Sequence, residues 1–190
     1  MKFIYRDLFL VLWVTWGIYW VLAARDVKAN VWRESRASRL SHIIPLLFAG
    51  FLLSQPGAHF FGLSRRLWPL GHVPFWVGAI ITAAGFVFCV WARIHIGRNW
   101  SGTVTLKEGH ELITSGPYSV VRHPIYTGLL LGFAGTAIAR GDWQGVLAFV
   151  IASVTLWLKL QIEERGMRRQ FGNAYETYSQ RVSMLLPFIL

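Results

Sequence analysis

Three short runs carry the side chains with which this chain could do chemistry. In the first, residues 116–128, Arg122 and His123 stand immediately before Pro124, and Tyr126 follows about one helical turn deeper. Proline fits the first turn of a helix, where its missing N–H costs nothing. Arg122 and His123 would then flank a positive helix end, a natural receiver for an anion. A basic helix start at a membrane surface would explain Arg122 alone, but the run as a whole favours function. The second run is Glu163-Glu164, a carboxylate pair in a chain with only 9 acidic residues. It could receive hydroxyls or a cation, with Lys159 beside it; Lys159 and Glu163 also have the i,i+4 spacing of an ordinary helical ion pair. The third is residues 96–101, where Arg98, Asn99 and Trp100 could hold a polar acceptor or could simply end a helix in an aromatic belt.

The elements that must position these groups are membrane helices. Hydrophobic residues make up 54% of the 190 positions and charged residues only 15%, against about 25% in a soluble domain. Apolar stretches alternate with short basic segments, the pattern of a polytopic membrane protein. The net charge of +10 does not point to nucleic acid, because the Lys and Arg residues flank apolar spans and form no continuous basic face. An anionic membrane surface or substrate accounts for them. The single cysteine, Cys89, rules out an internal disulfide and a cysteine metal cage, and the histidines His42, His59, His72 and His95 have no metal-ligand spacing.

Five apolar segments are expected as spans: 8–24, 41–63, 73–94, 124–139 and 143–160. The first also resembles a signal peptide with a weak cleavage cue at Ala23-Ala24, but its length and its Trp13, Trp16 and Trp20 favour a retained helix. Pro56-Gly57 is expected to kink or break the second. The fourth and fifth, joined by Arg140-Gly141-Asp142, form a helical hairpin over 124–160. Gly128, Gly132 and Gly135 are read as close-packing positions of the fourth span against the fifth.

Most of the 19 basic residues fall in the segment between spans one and two, the segment between three and four, and the C-terminal segment. The remainder (Lys2, Arg6, Arg65, Arg66 and Arg140) fall on the other side. This bias predicts an external N-terminus and a cytoplasmic C-terminus. Residues 98–123 make a long polar connection, expected to be folded. Residues 161–182, with Phe171, Tyr175, Tyr178 and Val182 at helical spacing, are expected to form an amphipathic helix on the inner membrane surface. The fold class is thus an all-α integral membrane protein, with about five transmembrane helices, a folded cytoplasmic loop and an amphipathic C-terminal helix.

The runs Lys107-Glu108-Gly109-His110-Glu111-Leu112-Ile113-Thr114-Ser115-Gly116-Pro117-Tyr118 and Arg122-His123-Pro124-Ile125-Tyr126-Thr127-Gly128 come first. They are followed by Glu163-Glu164, then by Phe171-Gly172 with Tyr175, Tyr178, Arg181 and Val182, and by a terminal Pro187-Phe188-Ile189. In this order and spacing they resemble the isoprenylcysteine carboxyl methyltransferase family, part of a wider group with phospholipid methyltransferases. The resemblance covers roughly residues 95–190. It divides the chain into N-terminal transmembrane helices (1–94) and a methyltransferase core (95–190).

The resemblance implies S-adenosylmethionine as methyl donor, with cofactor-side positions Lys107, His110, Leu112, Gly116, Tyr118, His123, Tyr126, Glu163 and Glu164. It also implies a lipidic or prenylated acceptor reached from the bilayer, in a bacterial inner membrane or endoplasmic reticulum. In-line methyl transfer depends mainly on positioning. A carboxylate acceptor needs a cation to align it, for which Arg98, Lys159 and Arg122 are candidates. An amine acceptor needs a base, for which Glu163 is nearest. The excess of cations favours the carboxylate of an isoprenylcysteine-like substrate. A phospholipid N-methyltransferase, a sterol-reductase relative and a non-catalytic lipid-binding protein are the alternatives.

Overall fold

The computed structural model describes residues 2–25, 30–33, 35–54, 62–63, 65–100, 105–107 and 111–187. Among the described residues six α-helices follow one another: α1 (Lys2–Ala23), α2 (Arg36–Ser54), α3 (His72–Ile96), α4 (Pro124–Arg140), α5 (Trp143–Phe171) and α6 (Asn173–Arg181). Three stretches, Arg36–Ser54, His72–Asn99 and Trp143–Phe171, are long and apolar enough to cross a membrane, and Asp7–Ala23 is a shorter apolar helix. The chain is an integral membrane protein of the helical class. One short antiparallel pair departs from the all-helical expectation: β1 (Asn30–Arg33) pairs with β2 (Thr105–Lys107). It joins the connection after α1 to the connection after α3, so these two basic segments share one end of the bundle.

At the opposite end, polar side chains close the loops. Arg140 pairs with Asp142 at 2.9 Å and donates to the Leu53 carbonyl at 2.8 Å, while Gln144 donates to the Leu52 carbonyl at 2.9 Å. These bonds satisfy carbonyls that the last turn of α2 leaves without an intrahelical partner. Asp142 also caps α5, accepting from the Gly145 N–H at 2.8 Å. Gly141 sits in the left-handed region at φ +65°, packed beneath the Trp68 indole, and ends α4 as glycine commonly does.

The tightest packing is between α3 and α4, and it is made of glycines. A Cβ on Gly78 would lie 2.3 Å from the Gly135 carbonyl oxygen, and one on Gly85 would lie 2.5 Å from that of Gly128. The pairs run antiparallel, seven residues apart on each helix. Gly132 faces Phe86 of α3. The small residues of α4 therefore receive α3, and the expectation that they receive α5 is corrected. The hairpin connection made α5 the obvious partner, but α3 supplies the matching glycines at matching spacing. On the other flank of the bundle, α2 packs on α5, with Ala49, Leu52, Phe133, Ala148 and Ala152 in one buried cluster.

α5 does not stop where its apolar run stops. Its 29 residues span about 43 Å at 1.5 Å per residue, well beyond a hydrocarbon core of about 30 Å. Gly172, at φ +50°, then breaks the chain into α6. The single amphipathic helix expected over 161–182 is thus the end of α5, a glycine corner and α6.

Candidate functional site

The site lies where the start of α4, the extension of α5 and α6 meet. Residues 116–119 form a 3-10 turn whose first residue, Gly116, has φ +60°. A Cβ there would strike the His95 ring at 2.7 Å, so glycine is required twice over, by conformation and by space. His95 in turn bonds Ser115 Oγ at 2.9 Å. The turn delivers Tyr118 into the interior, where its carbonyl accepts from the Tyr178 hydroxyl at 2.6 Å. Pro124 then opens α4, with Arg122 and His123 just ahead of it.

The C-terminal tail runs along this helix start. The Arg122 and His123 N–H groups donate to the Ser183 and Met184 carbonyls at 2.8 and 3.1 Å, and Thr127 Oγ1 donates to the Leu185 carbonyl at 2.8 Å. The Arg122 guanidinium is fully engaged. Its Nη1 donates to the Ser179 and Val182 carbonyls, at 2.9 and 2.5 Å, and its Nε and Nη2 donate to Glu164 at 3.1 and 3.4 Å.

Glu164 is the hub of this arrangement. Its side chain is 5% exposed and also receives His123 Nε2 at 2.8 Å and the Tyr175 hydroxyl at 2.5 Å. A buried carboxylate is tolerable only when paired and hydrogen-bonded, and here three side chains meet the need. Burial and the bond to Glu164 push the Tyr175 phenol well above its ordinary range, and burial does the same to Tyr178 and Tyr118. These phenols stay protonated, and Tyr175 stays a donor.

Glu163, one residue earlier, faces a different environment. Its side chain is 21% exposed; it accepts from the Tyr126 hydroxyl at 2.5 Å and lies 3.8 Å from His123 Nδ1 and 3.9 Å from Lys159 Nζ. Lys159 also rests over the Tyr126 ring, 5.5 Å from its centroid. Glu163 borders a cavity of about 880 Å³, within the range of small-molecule sites. One end is apolar, walled by Trp16 and Trp20 of α1, Leu46 of α2, Leu129 of α4 and Leu156 of α5; the other is polar, with His123, Tyr126, Glu163, Arg165 and Arg169.

Of the residues singled out from sequence, Leu112, Tyr118, Arg122, His123, Tyr126, Lys159 and Glu163 border this cavity, and Glu164 and Gly116 support it from behind. Arg98 does not join them. It is exposed, at the edge of a separate pocket of about 230 Å³ with Arg93 and Tyr19. Lys107 is placed by its backbone in β2, its side chain lying outside the described residues, as does all of His110. Sequence reasoning missed the aromatic wall from α1. Trp16 and Trp20 stack at 5.0 Å, and Trp20 meets Trp100 edge-on at 5.5 Å; the recurrence of tryptophan every three to four residues was the available signal.

The description "Phospholipid methyltransferase" belongs to a family model that matches residues 73–174, more than half of the chain. The chain belongs to the phospholipid methyltransferase family. Among relatives, it is 29% identical over 174 residues to a probable protein-S-isoprenylcysteine O-methyltransferase of Oryza sativa subsp. indica, covering 90% of this chain and 88% of that one. It is 39% identical over 81 residues to methanethiol S-methyltransferase 2 of Bradyrhizobium diazoefficiens, 42% of this chain and 30% of that one. Its fold is similar to that of a eukaryotic intramembrane Ras methyltransferase, with a TM-score of 0.56 at 24% identity, over 80% of this chain and 50% of the other. This chain therefore spans about half the length of that solved relative. Family membership places the glycine seam, Arg122–Tyr126 and Glu163–Glu164 all inside the matched region, whereas α1 and α2, which wall the apolar end, lie outside it.

Proposed function

We propose that this chain is a membrane methyltransferase that moves a methyl group from S-adenosylmethionine to the carboxylate of a lipidic, isoprenylcysteine-like acceptor. The observation that carries this reading is that one cavity has both an aromatic, apolar lining and a carboxylate-bearing polar lining. A water-soluble donor and a bilayer-resident acceptor need that combination. The polar end suits the donor: Glu163 supplies a negative charge for a cationic ligand, and Tyr126 and His123 fix its orientation. When bound, S-adenosylmethionine supplies a methyl group on a sulfonium; its transfer to a carboxylate oxygen forms a C–O bond, breaks the S–C bond and leaves a neutral thioether.

Lys159 then aligns the acceptor carboxylate. It lies one turn of α5 before Glu163 and one turn after Leu156, at the boundary between the two ends of the cavity. The carboxylate is already ionised and needs no base, so alignment is the main demand. Arg122, committed to Glu164 and the C-terminal tail, acts as a positioning residue, and Arg98 lies outside the cavity at the membrane surface. Residues 95–190 form the methyltransferase core, with Lys107, His110, Leu112, Gly116 and Tyr118 on the donor side, and residues 1–94 shape the acceptor's entry between α1 and α2. On this reading the chain crosses the membrane five times, with the N-terminus outside and the site at the cytoplasmic face, an orientation that the bias of its basic segments supports.

Incubation of the purified chain in nanodiscs with methyl-labelled S-adenosylmethionine tests this. An S-farnesylcysteine derivative with a free carboxylate should acquire a base-labile methyl ester. Labelling of phosphatidylethanolamine instead would replace the carboxylate reading with the N-methyltransferase one, and labelling of neither would sink both.

A further inference from the structure

The charged groups along α5 stand in a definite order. Counting outward from the bilayer, the cavity wall offers Leu156, then Lys159, then Glu163, then Arg165 and Arg169. Lys159 and Glu163 lie close to each other, 3.9 Å apart. The arginines beyond them are differently placed. Among the described residues Arg165 donates only to the Gln161 carbonyl of its own helix, at 3.0 Å. Arg169 makes no ion pair or hydrogen bond among the described residues, although both arginines face the cavity. Their neighbour Arg168, on another side of the helix, is taken up by Glu176 at 2.8 Å and by Glu164 at 3.7 Å. Among the described residues, neither Arg165 nor Arg169 has an acidic partner, and both border the cavity. Their spacing of four residues puts them on one helix face, and both line the same cavity as Glu163.

We infer that Arg165 and Arg169 bind the carboxylate of the methyl donor's amino-acid end, and so discriminate donors that carry it. This rests on the methyl-donor reading of Glu163. The order apolar, cation, anion, cation along α5 matches a lipid tail, a carboxylate acceptor, the cationic centre of the donor and the donor's carboxylate, in sequence. Arginine suits the last place because its planar fork meets a carboxylate with two parallel hydrogen bonds. A phosphate of an anionic lipid at the cytoplasmic face would satisfy the same fork, so the two sources of anion must be separated by experiment.

The experiment is calorimetric binding by the full chain in phosphatidylcholine nanodiscs, with S-adenosylmethionine and its decarboxylated analogue as ligands. The wild type should prefer the carboxylated ligand by about tenfold or more, the usual range for a charge-assisted pair. The double variant Arg165→Gln, Arg169→Gln should lose that preference, binding S-adenosylmethionine about tenfold more weakly and the analogue unchanged. Arg169→Lys should restore part of the preference. Both side chains are exposed, so melting temperatures should not move. Equal wild-type affinity for the two ligands, or an equal loss for both in the variant, would overturn the assignment. So would an effect that appears only in phosphatidylglycerol nanodiscs, which would give the arginines to a lipid headgroup. Absence of any S-adenosylmethionine binding by the wild type would instead remove the donor reading on which the inference stands.

Discussion

Along α4, one face closes on α3 with no room for a methyl group, whereas the other looks onto a cavity of about 880 Å³. The first face is built from glycines whose backbones touch, the geometry by which membrane helices gain packing energy without a hydrophobic driving force. The second is built from long polar and aromatic side chains that leave space between them. The same contrast recurs between adjacent residues of α5. Glu164 is buried among Arg122, His123 and Tyr175, while Glu163 reaches the cavity edge with Tyr126 and Lys159 around it. A frame that cannot move holds a site that must stay open, and each part should fail in its own way.

The largest effect is expected in the seam. In Gly128→Leu, even the first side-chain carbon would sit 2.3 Å from the Gly85 carbonyl oxygen, which only a shift of the helix backbones can relieve. Loss of about 3 kcal/mol or more is expected, read as aggregation or a collapsed melting transition. Gly17→Leu, with nothing within 4 Å of its Cβ, should leave melting unchanged. Next comes Glu164→Ala, which strands Arg122 and His123 and should cost about 3–5 kcal/mol. Glu163→Gln should change stability by less than about 1 kcal/mol while weakening donor binding tenfold or more. Equal behaviour of the two glutamate variants would erase the distinction between frame and site.

Tyr126→Phe removes one hydrogen bond to a carboxylate, worth about 1.5–3 kcal/mol. That bond lies within the protein, so folding stability should fall by up to that amount. Donor affinity should fall by less than in Glu163→Gln, because the carboxylate remains but is no longer held in place. The smallest effect concerns pH. Tyr175 and Tyr178 have pKa values raised in the folded protein, so the stability they contribute is full below their unfolded value near 10 and declines as pH rises beyond it. Melting temperature should drop above about pH 10, and Tyr175→Phe should make that drop shallower. An unchanged alkaline slope in the variant would remove Tyr175 from the frame.

Much of the frame was legible because it is written in composition and period. The apolar stretches located α3 and α4 to within two residues at both ends and found α1, α2 and α5 while missing the starts of the first two and the ends of α2 and α5. The charge pattern grouped the segments that β1 and β2 join at one end. The end of α5 was misread because an apolar count stops at Leu160, whereas the helix continues through residues that are polar but good helix formers. The partner of the α4 glycines was misread because a glycine stripe records close approach without saying to what. In the site, the motifs named the residues that meet at Glu163 and Glu164. They did not reveal that Arg122 spends its donors on the Ser179 and Val182 carbonyls, because backbone acceptors leave no mark in a sequence. Nor did they place Trp16 and Trp20 on the cavity wall, a contact that depends on how α1 leans against α3.

The central claim is that the cavity beside Glu163 receives the methyl donor. Calorimetric titration of S-adenosylmethionine into the wild-type chain and into Glu163→Gln, in the same nanodiscs, tests it most directly. The account predicts saturable binding at one site per chain in the wild type, and at least tenfold weaker binding in the variant at an unchanged melting temperature. No binding by the wild type, or equal binding by both, would contradict it.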